Sequence, residues 1–78
     1  MRYYFDVIGE ADLTKDSEGI ELANPAQMKA KAMAILAEIA SETLPSDDQI
    51  QLATRVRDAK GTPVYEANLV IEGKEPSQ

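Results

Sequence analysis

Asn24-Pro25-Ala26-Gln27-Met28, continued without a break through alanine-rich turns to Ser41-Glu42, is the stretch on which the fold depends. Asn24 is a good helix N-cap residue, and Pro25 suits the first helical position because its missing N–H would have no helical partner there. Gln27 stands where a side chain can reach back to the cap. A helix is therefore expected to begin at Pro25. Met28, Ala32, Ile35 and Ile39 recur at helical spacing, with Leu36 and Ala40 widening the stripe, while Gln27, Lys31, Glu38 and Glu42 fall elsewhere on the wheel. The alanines favour helix and let it lie close to a sheet. Pro45 pushes Leu44 out of helical dihedrals, so the helix stops near Glu42 or Thr43, about 27 Å long at roughly 1.5 Å per residue.

The flanking segments have the other period. Arg2 to Ile8 alternates, with Tyr3, Phe5 and Val7 on one side and Arg2, Tyr4, Asp6 and Ile8 on the other, and its β-branched and aromatic residues make it a strand. Gly9 to Asp12 reads as a turn, Leu13-Thr14-Lys15 as a short returning strand, and Asp16-Ser17-Glu18-Gly19 as a second turn. Beyond the polar turn Ser46-Asp47-Asp48, Ile50, Leu52, Thr54 and Val56 alternate with Gln51, Ala53, Arg55 and Arg57. After Asp58-Ala59-Lys60-Gly61, Tyr65, Ala67, Leu69 and Ile71 alternate with Val64, Glu66, Asn68 and Val70. These two strands form a hairpin. Cross-strand partners share a face, so Arg57 opposite Thr62 sets Thr54 against Tyr65, Leu52 against Ala67 and Ile50 against Leu69, around a tight loop centred on Ala59 and Lys60. The expected architecture is α+β: a single α-helix packed on a small antiparallel sheet, in the order β-(β)-α-β-β. Residues 1–72 form one domain, and the tail 73–78, with no apolar residue to hold it, frays.

Composition limits what such a domain can do. Seventy-eight residues are too few for two cores, and 44% hydrophobic with 28% charged residues is ordinary globular usage. There is no cysteine for a disulfide, and neither cysteine nor histidine for a structural zinc, so oligomerisation is the reinforcement left to a thin core. The apolar runs are far shorter than the roughly 20 residues of a membrane span. The opening Met1-Arg2-Tyr3-Tyr4-Phe5-Asp6 meets an acid at once and does not read as a signal peptide, which makes the cytoplasm the expected location. Fourteen acidic residues against eight basic ones give a net charge of −6, which disfavours nucleic acid; Arg55, Arg57 and Lys60, with Asp58 among them, are a weak footprint.

The same inventory argues against catalysis. The commonest general base and the strongest common nucleophile are missing, along with the soft metal ligands. Asp47 and Asp48 are neighbours in a solvated turn. Glu10 to Glu21 fails as a calcium loop: starting at Asp12 puts Ser17 at the glycine position and Ala23 at the closing glutamate, and starting at Glu10 puts Lys15 at the glycine. The four glycines are isolated, so no phosphate cradle exists. No catalytic, cofactor-binding or metal-binding residue is expected, and no enzyme. What remains is the sheet face that one helix cannot cover, which carries Tyr4, Asp6, Ile8, Ala53, Arg55, Arg57, Glu66, Asn68 and Val70. Tyr4, Ile8, Arg55, Arg57, Glu66 and Val70 are the candidate interaction surface, since tyrosine and arginine anchor interfaces and Ile8 and Val70 add apolar area.

The leading expectation is a non-enzymatic interaction module whose partner is itself, as a weak homodimer, or another protein. In such a dimer Arg55 or Arg57 would meet Glu66 or Asp6 of the second copy. The alternative is a small-molecule or regulatory ligand-binding domain with a pocket between helix and sheet near Met28, Ala32 and Tyr65.

Tyr3-Tyr4-Phe5-Asp6-Val7, then Asp16-Ser17-Glu18-Gly19-Ile20-Glu21-Leu22, a helix ending Leu36-Ala37-Glu38-Ile39-Ala40, and Val56-Arg57-Asp58 before Gly61-Thr62-Pro63-Val64 together resemble a family of short bacterial proteins. That family is abundant in alphaproteobacteria and known only as a domain of unknown function. The resemblance covers the chain up to about Ile71. It implies small standalone cytoplasmic proteins, with no catalytic residue or cofactor to carry over. Asp6, Asp16 and Asp58 match its pattern, and each is most simply a turn or strand-end residue.

Overall fold

In the computed structural model, which describes residues 1–10, 12–42 and 49–76, one helix lies on a five-stranded antiparallel sheet. The elements in chain order are β1 (Arg2–Ile8), β2 (Leu13–Thr14), β3 (Ile20–Glu21), α1 (Pro25–Glu42), β4 (Gln49–Arg57) and β5 (Pro63–Glu72). The α+β class and the single helix are as the sequence implied, and β3 is an additional strand. The asparagine cap forms: the Gln27 N–H donates to Asn24 Oδ1 at 2.9 Å, and Gln27 Oε1 accepts from the Ala23 N–H at 2.9 Å. The polar turn expected at Ser46 to Asp48 lies outside the described residues, as do Thr43, Leu44 and Pro45.

The strands run in the order β2-β1-β4-β5, with β3 pairing the other end of the β1 edge that β2 occupies. The two long pairings keep the alternation intact. Phe5 faces Val56 and Val7 faces Thr54 across β1 and β4, while Val56 faces Tyr65, Thr54 faces Ala67 and Leu52 faces Leu69 across β4 and β5. The hairpin register therefore differs by two residues from the one expected, which set Thr54 against Tyr65. The faces are unchanged, because a slip of two preserves them. The cause is local. Gly61 adopts φ 86°, the Asp58 carboxylate accepts the N–H groups of Lys60 and Thr62, and the ladder shifts between Val56 and Arg57, where Pro63 supplies no N–H to a regular pair.

The core lies between α1 and one sheet face. Tyr3, Phe5, Met28, Ala32, Leu36, Val56 and Ala67 are buried together, with Ile35, Leu52, Tyr65 and Leu69 packed around them. The helix presents the row Met28, Ala32, Leu36 most deeply, while Ile35 and Ile39 are only half-buried, so the stripe is rotated slightly from the expected one. Ala32 is completely inaccessible, which brings the helix axis close to the sheet. Thr54 is also fully buried, and its hydroxyl has no hydrogen-bond partner among the described residues.

Candidate functional site

The helix leaves the other sheet face open, and all six candidate surface residues lie on it by register: Tyr4 opposite Arg57, Ile8 opposite Ala53, Arg55 opposite Glu66, and Val70 opposite Gln51. They divide into three groups, one of them Arg55 and Glu66, which pair with each other. Tyr4 and Arg57 belong to a polar clasp over β1, whereas Ile8 and Val70 border a shallow hollow floored by Ala53 and Asn68.

Asp6 and Asp16 hold the clasp together. Asp6 stands opposite Arg55 in the ladder, yet its carboxylate binds the diagonal arginine: Arg57 Nε donates to Oδ2 at 2.9 Å and Nη2 to Oδ1 at 3.2 Å. Arg57 Nη2 also donates to the Asp16 carbonyl at 2.6 Å, and the Asp16 N–H donates to Asp6 Oδ1 at 2.9 Å. The guanidinium lies 4.8 Å from the centre of the Tyr4 ring, within cation–π range. Asp16 then turns its own carboxylate inward. Oδ2 accepts the Phe5 N–H at 3.0 Å, and Oδ1 accepts those of Glu18 and Gly19 at 3.1 Å. Gly19 at φ 73° passes so close to β1 that a Cβ there would lie 2.9 Å from Tyr4 Cε2 and 3.0 Å from the Tyr3 carbonyl oxygen.

The geometry reads as an interrupted edge strand. β2 pairs Val7 and Ile8, β3 pairs Arg2 and Tyr3, and between them the loop lifts over the face while the Asp16 carboxylate takes the Phe5 N–H that a strand carbonyl would otherwise accept. Asp6 and Asp16 are therefore structural ligands of a loop, a larger role than the turn or strand-end position expected of them. The sequence did hold a signal: an Asp three residues before a Gly, and an acid in mid-strand on the same face as two arginines.

Electrostatics follow from these bonds. The hydrogen bond from Arg57 holds the Asp6 carboxyl below its ordinary value against the upward push of burial, helped by the Asp16 N–H. At Asp16 burial pushes upward, but three backbone N–H donors outweigh it and the net shift is down. The Asp6 carboxylate raises Arg57 further above its usual range. None of the three exchanges a proton near neutrality. In the stretch from Glu10 to Glu21, both oxygens of Asp16 are already taken by N–H groups, and among the described residues no three carboxylates gather as a metal site.

Two features bear on the surface. Arg55 pairs with Glu66 at 3.0 Å and Arg57 with Asp6 at 2.9 Å within the chain. Met28 and Ala32 are buried in the core. The opening beside Tyr65 lies further along, a groove between the helix and β5 bounded by Met33, Leu36, Ala37, Tyr65, Ala67 and Leu69.

A family model for a domain of unknown function, DUF6894, matches residues 2–70, from the first residue of β1 to Val70 in β5. The chain belongs to the DUF6894 family. The match spans both halves of the Asp16 clasp and the hairpin, so the sealed β1 edge and most of β5 lie inside the family's domain. No curated protein and no solved structure matches the chain. Among the described residues no helix is long and apolar enough to cross a membrane.

Proposed function

We propose that this DUF6894 chain is a non-enzymatic protein-interaction module that self-associates through the β5 side of its sheet. The observation that carries the reading is the state of β5. It is the outermost strand, ten residues long, and on it Val64, Val70 and Ile71 are 44%, 54% and 43% exposed. Long edge strands with exposed apolar residues are templates for another chain, and proteins normally blunt them. Ile8 and the hollow against Val70 extend the apolar area onto the open face. The proposal includes the cytoplasm of an alphaproteobacterium as the setting, and a protein, rather than a nucleic acid or a membrane, as the partner.

Two chains of charge −6 repel, so the dimer is weak at low salt and tightens as moderate salt screens that repulsion. Sedimentation equilibrium is expected to give a dissociation constant in the micromolar range, weakened at least tenfold by Val70→Asp with the circular dichroism spectrum unchanged. A strict monomer at high concentration, at both low and moderate salt, overturns self-association.

A further inference from the structure

The register that β5 would adopt against a second β5 can be worked out from charge and burial, and this rests on the self-association just proposed. A two-fold axis perpendicular to the sheet pairs each residue with one of the same face, so it must pass through a residue position and cannot fall between two. Centring the pair on Glu66 sets Glu66 against Glu66. Centring it on Leu69 sets Glu66 against Glu72. Both put like charges directly opposite, which is destabilising. Centring on Asn68 avoids that but faces Val64 with Glu72 and Val70 with Glu66. Centring on Ala67 brings Val64 toward Val70 on the open face and pairs Tyr65 with Leu69 on the helix face, while Glu66 meets the neutral Asn68 and keeps its own Arg55.

An independent feature has the same centre. The groove between α1 and β5 is bounded on the strand side by Tyr65, Glu66, Ala67, Asn68 and Leu69, symmetric about Ala67, and on the helix side by Met33, which is 55% exposed, with Leu36 and Ala37. A two-fold through Ala67 places the grooves of the two copies side by side, with Met33 of each at the seam. Methionine is the apolar side chain best able to adjust to such a joint.

We propose that the partner of β5 is the β5 of a second copy, antiparallel and centred on Ala67, so that two sheets join into one and the helices lie on the same side with their Met33 side chains covering the seam. The chain has no cysteine, so single cysteines report the register directly. Directly opposite Cβ atoms lie about 4.5–5.5 Å apart and diagonal ones about 7–8 Å, and a disulfide needs about 3.5–4.5 Å. Glu66→Cys and Asn68→Cys, both at exposed positions, are mixed at concentrations where sedimentation shows dimer, then oxidised. A mixed disulfide joining one variant to the other is expected, with each variant alone giving at least tenfold less covalent dimer. Efficient homodimer of Asn68→Cys alone moves the axis to Asn68 and overturns the register, as Glu66→Cys alone does for an axis at Glu66. A dimer by sedimentation with no cross-link in any combination rejects the Ala67-centred register while leaving self-association standing. A monomer by sedimentation rejects both.

Discussion

The sheet has two edges, and they are finished differently. At the β1 edge every stretch is covered: β3 pairs Arg2 and Tyr3, β2 pairs Val7 and Ile8, and between them the Asp16 carboxylate takes the Phe5 N–H. At the β5 edge protection is lighter, with Pro63 and the ladder shift at Val56 and Arg57 at the turn end and the single charges Glu66 and Glu72 along a ten-residue strand that exposes Val70 and Ile71. The same chain that commits two short strands, two aspartates and an arginine to closing one edge leaves the other unpaired among its described residues. A small domain gains stability from closing edges, so an unclosed one needs a separate reason, and pairing with another chain supplies one.

The largest expected effect tests what anchors the open edge. Leu36 is buried on the core face of the helix and also bounds the groove against β5, whereas Ile39 is half-buried one turn on. Leu36→Ala is expected to cost about 2–5 kcal/mol in urea unfolding, and Ile39→Ala clearly less. Equal losses would mean that the helix is anchored more evenly than the Met28, Ala32, Leu36 row indicates. The next effect addresses the closed edge. Asp16→Ala leaves the Phe5 N–H without its acceptor and frees the loop, at an expected cost of about 1–3 kcal/mol. A midpoint unchanged from the parent would show that the clasp decorates the edge without sealing it.

Much of this architecture was legible in the residues. The cap at Asn24, the first proline and the alternation in β1, β4 and β5 are local signals, readable from neighbours three or fewer positions away, and each element formed where those signals put it. The two-residue shift of the hairpin was not legible, because it depends on how the Asp58 carboxylate and Gly61 shape one turn, and every even register keeps the same residues on the core face. β3 escaped for a related reason. Two residues, Ile20 and Glu21, cannot display a period, and they are a strand only because Asp16 and Gly19 bring them back to Arg2 and Tyr3. At the candidate site alternation shows that Tyr4, Asp6, Arg55 and Arg57 share a side, but a diagonal Asp6–Arg57 bond in preference to the opposite Arg55 follows from the third party, the Asp16 loop, which engages both.

The smallest effect separates the two edges by acidity. Both clasp carboxyls are held below the ordinary 3.8: Asp6 by Arg57, against burial and with the Asp16 N–H assisting, and Asp16 by three N–H donors that overcome burial. A folded-state value below the unfolded one means that the unfolded chain takes up protons first as pH falls. The contribution is therefore whole above the unfolded value and is lost as the pH drops through the lowered, folded ones. From about pH 7 to about pH 4.5 the two groups together forfeit little, because the unfolded carboxyls are still mostly ionised there. Below that the loss grows, and it falls on the closed edge. Amide hydrogen exchange, corrected for its intrinsic pH dependence, is thus expected to lose protection at Phe5, Glu18 and Gly19 on acidification before it does so at Leu52 and Leu69 in the middle of the β4–β5 ladder, where no buried carboxylate accepts a backbone N–H. Simultaneous loss at both places would mean that the clasp opens only with the whole fold, and that the two edges, however differently built, respond to acid as one cooperative unit.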